Sequence, residues 1–383
     1  MLRCGVYETR RARGSPRSVA TLLPMVDTTD AVLAFVAAAL ITWAVVPLAE
    51  MLARRVGAID EPGPRSQHLV ATPRMSGIAI LAGVEIAGWI FLPMDNEATG
   101  ILLGAVAVCL VGALDDVFDL PAVVKLLGQI GAAAIPVWAG VRPDVLTIPF
   151  IGGFELGWTA YPLTIIGIVA VINIINLIDG IDGLAAGVVA IAAAAMAVIA
   201  LSLERYEAGV LAALTAGAAL GFLRHGFPPA SSFMGDSGSN LLGYLIAVVS
   251  IQGALKTNAV VALAFPMVIL AVPIFDTAFV VAKRLKYHQP IYQADRWHFH
   301  HRMANLGFSQ RKTLAYFYGW TLVLALLALA LRLVPYSDDR GHFDPLWTTF
   351  MVVMILAALG VTFYLVYVLE IIKGPRSRDE PGQ

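Results

Sequence analysis

The sequence predicts an all-α polytopic membrane protein, and three observations carry that reading. The 383 residues are 58% hydrophobic and only 14% charged, with a mean hydropathy of +0.77, whereas a soluble domain carries about 25% charged residues. The apolar residues gather in runs of about 17–25, the length that spans a hydrocarbon core as a helix. The connections between the runs are short and show no internal repeat, so they leave no room for a second domain.

Taken in order, the runs place about 11 transmembrane helices, near 30–52, 76–94, 98–114, 122–141, 158–177, 184–203, 208–225, 238–255, 258–283, 313–334 and 346–371. Residues 1–29 are rich in arginine (Arg3, Arg10, Arg11, Arg13, Arg17) and contain no signal-peptide core. They read as a disordered tail, or as sequence ahead of a start at Met25. Residues 30–372 then form the membrane domain and 373–383 a terminal tail. Cys4 and Cys109 are too few for a disulfide framework or a thiolate metal site. No basic run with interleaved aromatics is present, so nucleic acid is not an expected partner.

Basic residues sort the loops by side. Arg54, Arg55, Arg65, Arg74, Lys125, Arg224, Lys283, Arg284, Lys286, Arg296, Arg302, Arg311, Lys312 and Lys373 all fall on the side reached by odd-numbered spans. The positive-inside rule makes that side cytoplasmic. The N-terminus is then outside, where its five arginines are the one discord, which a start at Met25 would remove, and the C-terminus is cytoplasmic. On the opposite, periplasmic side, the Pro- and Gly-rich stretch 142–157 has the composition of a small β-hairpin.

The polar motifs fall on the cytoplasmic side. His68 and Thr72-Pro73-Arg74 lie in the first such loop, and Asp115-Asp116-Val-Phe-Asp119 with Lys125 in the second. Next comes Asn173-Ile-Ile-Asn176-Leu-Ile-Asp179-Gly180-Ile-Asp182-Gly183, followed by Phe233-Met-Gly235-Asp236-Ser237-Gly238-Ser239-Asn240. The last is Arg296-Trp-His298-Phe-His300-His301-Arg302, in a long loop. The paired Asp-Gly steps read as a polar corner between two helices, with Asp182 placed to cap the second. Side-by-side carboxylates at a membrane edge repel each other and want a cation or a proton. Oxygen ligands without thiolates suit Mg²⁺ or Mn²⁺. Ser237, Ser239 and the backbone N–H groups that open the helix after Gly235 could meet a phosphate. His298, His300, His301 and Arg302 fit an anion clamp better than a zinc site, because the flanking arginines would repel a dication. Metal-binding carboxylates, phosphate-binding cations and hydrocarbon walls together ask for a water-soluble phosphorylated donor and a lipid acceptor.

With these motifs in this order, the chain resembles the polyprenyl-phosphate N-acetylhexosamine-1-phosphate transferases from about residue 30 to 335. Within that superfamily it is most similar to the bacterial undecaprenyl-phosphate N-acetylglucosamine-1-phosphate transferases. The resemblance implies Mg²⁺-dependent transfer of a sugar 1-phosphate from a UDP-N-acetylhexosamine to polyprenyl phosphate, among membrane lipids, and leaves room for a homodimer. It implies Asp115 as the group that keeps the lipid phosphate ionised or aligned, and Asp236 with Asn176 and Asp116 at the metal. Phe233, Asp179, Gly180 and Asp182 would bind the uracil. Lys125 with His298, His300, His301 and Arg302 would hold pyrophosphate and sugar. His68, Arg74, Asp119 and Asn173 complete the motifs. The His-Phe-His-His run separates the chain from the muramoyl-pentapeptide branch, which carries three consecutive histidines; Ser76 stands where the family pattern has glycine. A secondary transporter is the rival reading, and it would place its ionisable groups near the bilayer midplane on paired repeats.

Overall fold

The structure is a computed structural model, and it describes residues 27–61, 71–148, 152–255, 266–286, 299–335 and 344–371. Its helices are α1 (Thr28–Val56), α2 (Gly77–Phe91), α3 (Asn96–Phe118), α4 (Ala122–Ala139), α5 (Ala160–Ile178), α6 (Leu184–Ser202), α7 (Tyr206–Gly226), α8 (Gly235–Leu255), α9 (Ala271–Lys286), α10 (Phe299–Asn305), α11 (Gln310–Leu333) and α12 (Pro345–Ile371). Among the described residues, eight helical segments are long and apolar enough to cross a membrane, and α2 is a shorter apolar helix. The chain is therefore an all-α multi-pass membrane protein.

The helices differ from the sequence-based spans where polar residues continue the backbone pattern. The first begins at Thr28 because Asp27 caps it: Asp27 Oδ1 accepts the N–H groups of Thr29 (2.6 Å) and Asp30 (3.1 Å), and Asp30 Oδ2 accepts the N–H of Asp27 (3.0 Å). This is a reciprocal capping box. Helix α3 runs four residues beyond the expected 114, to Phe118, so that Asp115 and Asp116 lie in its last turn. Residues 258–265 of the expected ninth span lie outside the described residues, and α9 begins at Ala271.

The most enclosed helices are α6 and α7; in each, 78% of the most apolar stretch is buried. Helix α7 packs on α1 and α6, α3 on α4 and α8, and α5 on α8. Small residues set the closest of these contacts. A Cβ built on Gly217 would lie 2.1 Å from the carbonyl oxygen of Phe35, and one on Gly221 would lie 2.3 Å from that of Ala39. The four-residue spacing puts both glycines on one stripe of α7, against which α1 rests backbone to backbone.

Two short sheets accompany the bundle. Strands β1 (Ile59–Asp60) and β2 (Thr72–Pro73) pair antiparallel, and the chain beyond β2 forms a parallel bridge between Arg74 and Phe233. The N–H of Phe233 donates to Pro73 O (2.9 Å) and that of Ser76 to Phe233 O (3.2 Å). The loop after α1 is thereby stitched to the loop before α8. Strands β3 (Val145–Ile148) and β4 (Gly152–Glu155) pair antiparallel at the other end of the bundle, with Val145 opposite Glu155.

A larger residue on the glycine stripe must push α1 away. Gly221→Leu is expected to lower the unfolding free energy by about 1–3 kcal/mol, read as a drop in melting temperature of the detergent-purified protein. The neighbouring Leu220 points away from α1 and is 49% exposed, so Leu220→Ala is expected to leave the melting temperature nearly unchanged.

Candidate active site

Four helix ends meet at one end of the bundle: the C-termini of α3 and α5 and the N-termini of α4 and α8. Each brings polar side chains from its terminal turn. Asp115 and Asp116 come from α3, Lys125 from α4, Asn176 from α5 and Asp236 from α8.

Neighbours on a helix point about 100° apart, and that rotation divides the Asp-Asp pair. Asp115 faces α4. Its Oδ2 lies 2.8 Å from Lys125 Nζ, and its Oδ1 accepts the N–H of Leu120 at 2.8 Å. Asp116 faces α8. Its Oδ1 accepts the N–H of Asp236 (2.8 Å) and its Oδ2 that of Ser237 (3.0 Å). These N–H groups open a helix and have no partner within it, and the helix dipole favours an anion there. The close approach needs glycine on both sides. A Cβ on Gly112 would sit 2.3 Å from Asp236 O, and one on Gly235, at φ 68°, would sit 2.5 Å from Asp116 Oδ2.

The first N–H groups of α8 donate to Asp116, and Ser237 Oγ donates to Met234 O at 3.0 Å. With both oxygens engaged and only 3% of its surface exposed, Asp116 holds the start of α8.

Held in this way, α8 presents Asp236 between two partners. Its Oδ2 lies 2.9 Å from Lys125 Nζ, and its Oδ1 accepts a short hydrogen bond from Asn176 Nδ2. Asn176 Nδ2 also donates to Ser239 Oγ at 2.8 Å. Lys125 thus bridges Asp115 and Asp236, an ammonium seated between two carboxylates. Arg74 completes this layer by donating to the backbone oxygen of Asp116 through Nε (3.2 Å) and Nη2 (3.0 Å). That oxygen belongs to the last turn of α3, where a cation is favoured.

One turn deeper lies a second layer, which the sequence motifs touched at Asn173 and at Asn240, the residue that ends the cluster begun at Phe233. Asn173 Nδ2 donates to Gln129 Oε1 (2.8 Å) and to Val169 O (2.8 Å), and Gln129 Nε2 donates to Asn240 Oδ1 (3.4 Å). Gln129 follows Lys125 by four residues and Asn240 follows Asp236 by four, so each sits beneath its functional neighbour. Both are fully buried. Amides link α4, α5 and α8 here without adding charge to the membrane interior, where polar groups must find partners. The i+4 spacing is the sequence signal that marks Gln129 and Asn240.

The Asp-Gly corner closes the rim. Asp182 does not cap α6, whose N-cap is Gly183 in the left-handed region; its Oδ2 instead accepts the N–H of Ala230 at 3.2 Å. Tyr318 Oη donates to Gly183 O at 2.6 Å, which ties α11 to the corner. Asp179 lies just past the end of α5. Burial, and then the carboxylates of Asp236, Asp116 and Asp182, push its carboxyl well above the usual carboxylate range. That favours the protonated form, which can donate a hydrogen bond. Gly180 is exposed beside it.

The remaining expected residues separate. Phe233 is half-buried at the bridge to Arg74. Asp119 is exposed and ends α3 in a left-handed conformation (φ 50°, ψ 67°). His68 and His298 lie outside the described residues. His300, His301 and Arg302 sit on the short helix α10 rather than in a loop.

The donors are hard oxygens. No group of three or more His, Cys, Asp or Glu side chains that could hold a metal by itself occurs among the described residues. Asp236 with the Asn176 amide and nearby Asp115 instead suits a Mg²⁺ that takes its remaining ligands from substrate phosphate and water. An ammonium already between two of these carboxylates shows that the gap accommodates a cation.

A carboxylate–ammonium centre thus stands at one end of the apolar helix bundle of a multi-pass membrane protein. Comparison with known proteins gives the family. Residues 98–254 match the model of glycosyl transferase family 4. A Bacillus subtilis protein named probable undecaprenyl-phosphate N-acetylglucosaminyl 1-phosphate transferase is 38% identical over 304 residues, covering 79% of this chain and 85% of its own. The Mycobacterium leprae decaprenyl-phosphate N-acetylglucosaminephosphotransferase is 33% identical, covering 75% and 80%. The Escherichia coli K12 undecaprenyl-phosphate alpha-N-acetylglucosaminyl 1-phosphate transferase is 28% identical, covering 83% and 86%. The chain belongs to glycosyl transferase family 4.

If Asp116 is the post for α8, Asp116→Ala leaves the N–H groups of Asp236 and Ser237 buried without an acceptor. The expected loss is about 1–3 kcal/mol for each, measured by thermal unfolding in detergent, with Asp116→Asn losing less because one oxygen remains.

Proposed function

We propose that this enzyme transfers N-acetylglucosamine 1-phosphate from UDP-GlcNAc to a polyprenyl phosphate of undecaprenyl or decaprenyl length. The products are polyprenyl-diphosphate-GlcNAc and UMP. The relatives carry names for this reaction. The observation that carries the reading is the Lys125 ammonium between Asp115 and Asp236, with Asn176 alongside, at the junction of four helix ends.

An oxygen of the lipid phosphate attacks the β-phosphorus of the donor, and the bond from that phosphorus to the bridging oxygen breaks, so UMP leaves with the oxygen. A phosphate monoester has a second pKa of about 6, so it is a competent nucleophile near neutral pH and needs no covalent enzyme intermediate. Asp115 orients the acceptor phosphate and keeps it ionised. Lys125 offsets the charge of Asp115 and Asp236, so that an anionic phosphate can approach. Asp236 and Asn176 would hold Mg²⁺, with Mn²⁺ an alternative and Asp116 fixing their position. When bound, the metal supplies charge neutralisation at the phosphate oxygens. Asp179, Gly180, Asp182 and Phe233 form the uracil site. His298, His300, His301 and Arg302 take the pyrophosphate and sugar, Arg74 stands beside Asp116, and His68 completes the motif set.

The same reading puts the carboxylate rim on the cytoplasmic face of a bacterial inner membrane, where UDP-sugars are made. The N-terminus is outside and residues 373–383 are cytoplasmic. The transferase domain covers 30–372, the β3–β4 hairpin is periplasmic, and the product primes an envelope polysaccharide. Terminal turns as the seat of the polar groups argue against a transporter, whose sites lie at mid-membrane.

The test is UMP release from UDP-GlcNAc, undecaprenyl phosphate and Mg²⁺ by the purified protein. Lipid-dependent release is expected, and EDTA should remove it. Asp236→Ala and Asp115→Asn should each lower kcat by about a thousandfold or more in protein that still inserts and elutes as folded. Release with another UDP-N-acetylhexosamine but not UDP-GlcNAc would move the donor assignment; no release with any UDP-sugar would overturn the reaction.

A further inference from the structure

Asp276 is fully buried in α9, flanked along that helix by the buried Val272 and Val280. A carboxyl group inside an apolar helix carries a large desolvation cost, and the centre described above is built without it. Its Oδ1 accepts the backbone N–H of Phe299 at 2.7 Å. Phe299 is the first residue of α10, so this N–H is one that the helix cannot pair itself. Asp276 thus does from a neighbouring helix what an N-cap residue ordinarily does from the adjacent position.

A second anchor acts on the same residue. Phe299 is 1% exposed, and its ring stacks with Trp320 of α11 at 6.5 Å and 29°. Met303, four residues on and so on the same face, is 4% exposed. The Phe299–Met303 face of α10 is sunk in the core. The helical period then puts the backbone position of His301 opposite that face and those of His300 and Arg302 at its flanks. Two apolar anchors resist lifting of α10 but permit rocking; a hydrogen bond at its first N–H sets its height and rotation.

We propose that Asp276 is a positioning residue for α10, holding the His300-His301-Arg302 run at the register in which it meets the pyrophosphate of the nucleotide-sugar donor. The inference rests on the reading that this run binds the donor. It assigns the run's support to a carboxyl on α9 that lies outside every sequence motif.

The experiment uses full-length purified protein and measures KM for UDP-GlcNAc, KM for undecaprenyl phosphate, and the rate of tryptic cleavage after Arg302. Asp276→Ala is expected to raise the donor KM about five- to tenfold, the scale of a lost helix cap, and to speed cleavage after Arg302. The lipid KM should stay within about twofold. Asp276→Leu, which fills the volume without a buried polar group, should show the same split and serves if the alanine variant does not fold. Asp276→Asn keeps Oδ1 and should restore both readouts. Wild-type donor KM and cleavage in folded Asp276→Leu, equal rises in both KM values, or failure of asparagine to rescue would each overturn the proposal. Arg302→Ala separates the two readings. If it leaves the donor KM unchanged, the donor-binding role of the run falls and the register proposal falls with it. Faster cleavage in Asp276→Leu would then show only that Asp276 anchors α10.

Discussion

The contact between the Asp116 carboxylate and the first N–H groups of α8 is the one on which the rest of the centre depends. A helix start buried in a bundle has donors that water cannot reach, and a carboxylate from α3 satisfies two of them. The glycines at 112 and 235 let the backbones close to the distance this requires. Once α8 is fixed, Asp236 has little choice of position, and Asn176 and Lys125 meet it from α5 and α4. Asp115, rotated one residue away, meets the same lysine from the other side. A two-residue acidic step therefore supplies both the scaffold for α8 and one of the two carboxylates that flank Lys125.

Placement at helix ends settles an electrostatic conflict. Carboxylates are costly within hydrocarbon, yet the acceptor lipid is confined there. The terminal turns of α3, α4, α5 and α8 put the charges at one end of the apolar bundle rather than along its length. One turn deeper the polar groups are uncharged amides, Gln129, Asn173 and Asn240, which join three helices by hydrogen bonds alone. Burial, and then the three neighbouring carboxyls, push the Asp179 carboxyl well above the usual carboxylate range.

Much of this was legible in the sequence because the signals are local. Apolar runs mark the helices, and the Asp-Asp, Asn-x-x-Asn and Gly-Asp motifs named the residues that converge. The corner residue Asp182 shows where local reasoning stops. Its place before a glycine and an alanine-rich helix reads as a cap, but Gly183 takes the left-handed position that opens α6, and the freed carboxylate reaches a loop 48 residues away. The histidine run shows the same limit: four polar residues with one phenylalanine look like a loop, and Phe299 becomes a buried anchor only because Trp320 is there to receive it.

By itself the sequence determined the all-α, multi-pass character of the chain and which polar motifs it carries, since hydropathy and short-range spacing encode both. Only the tertiary structure decided which oxygen meets which donor. Asp115 and Asp116 are identical in composition and adjacent in the chain; the rotation of α3 against α4 and α8 makes one face an ammonium and the other a helix start. Helix rotation and height are set by packing between segments far apart in sequence, through contacts such as Gly217 on Phe35 and Gly112 on Asp236. That is why Gln129, Asn240 and Asp276 gain their meaning only once the helices stand side by side.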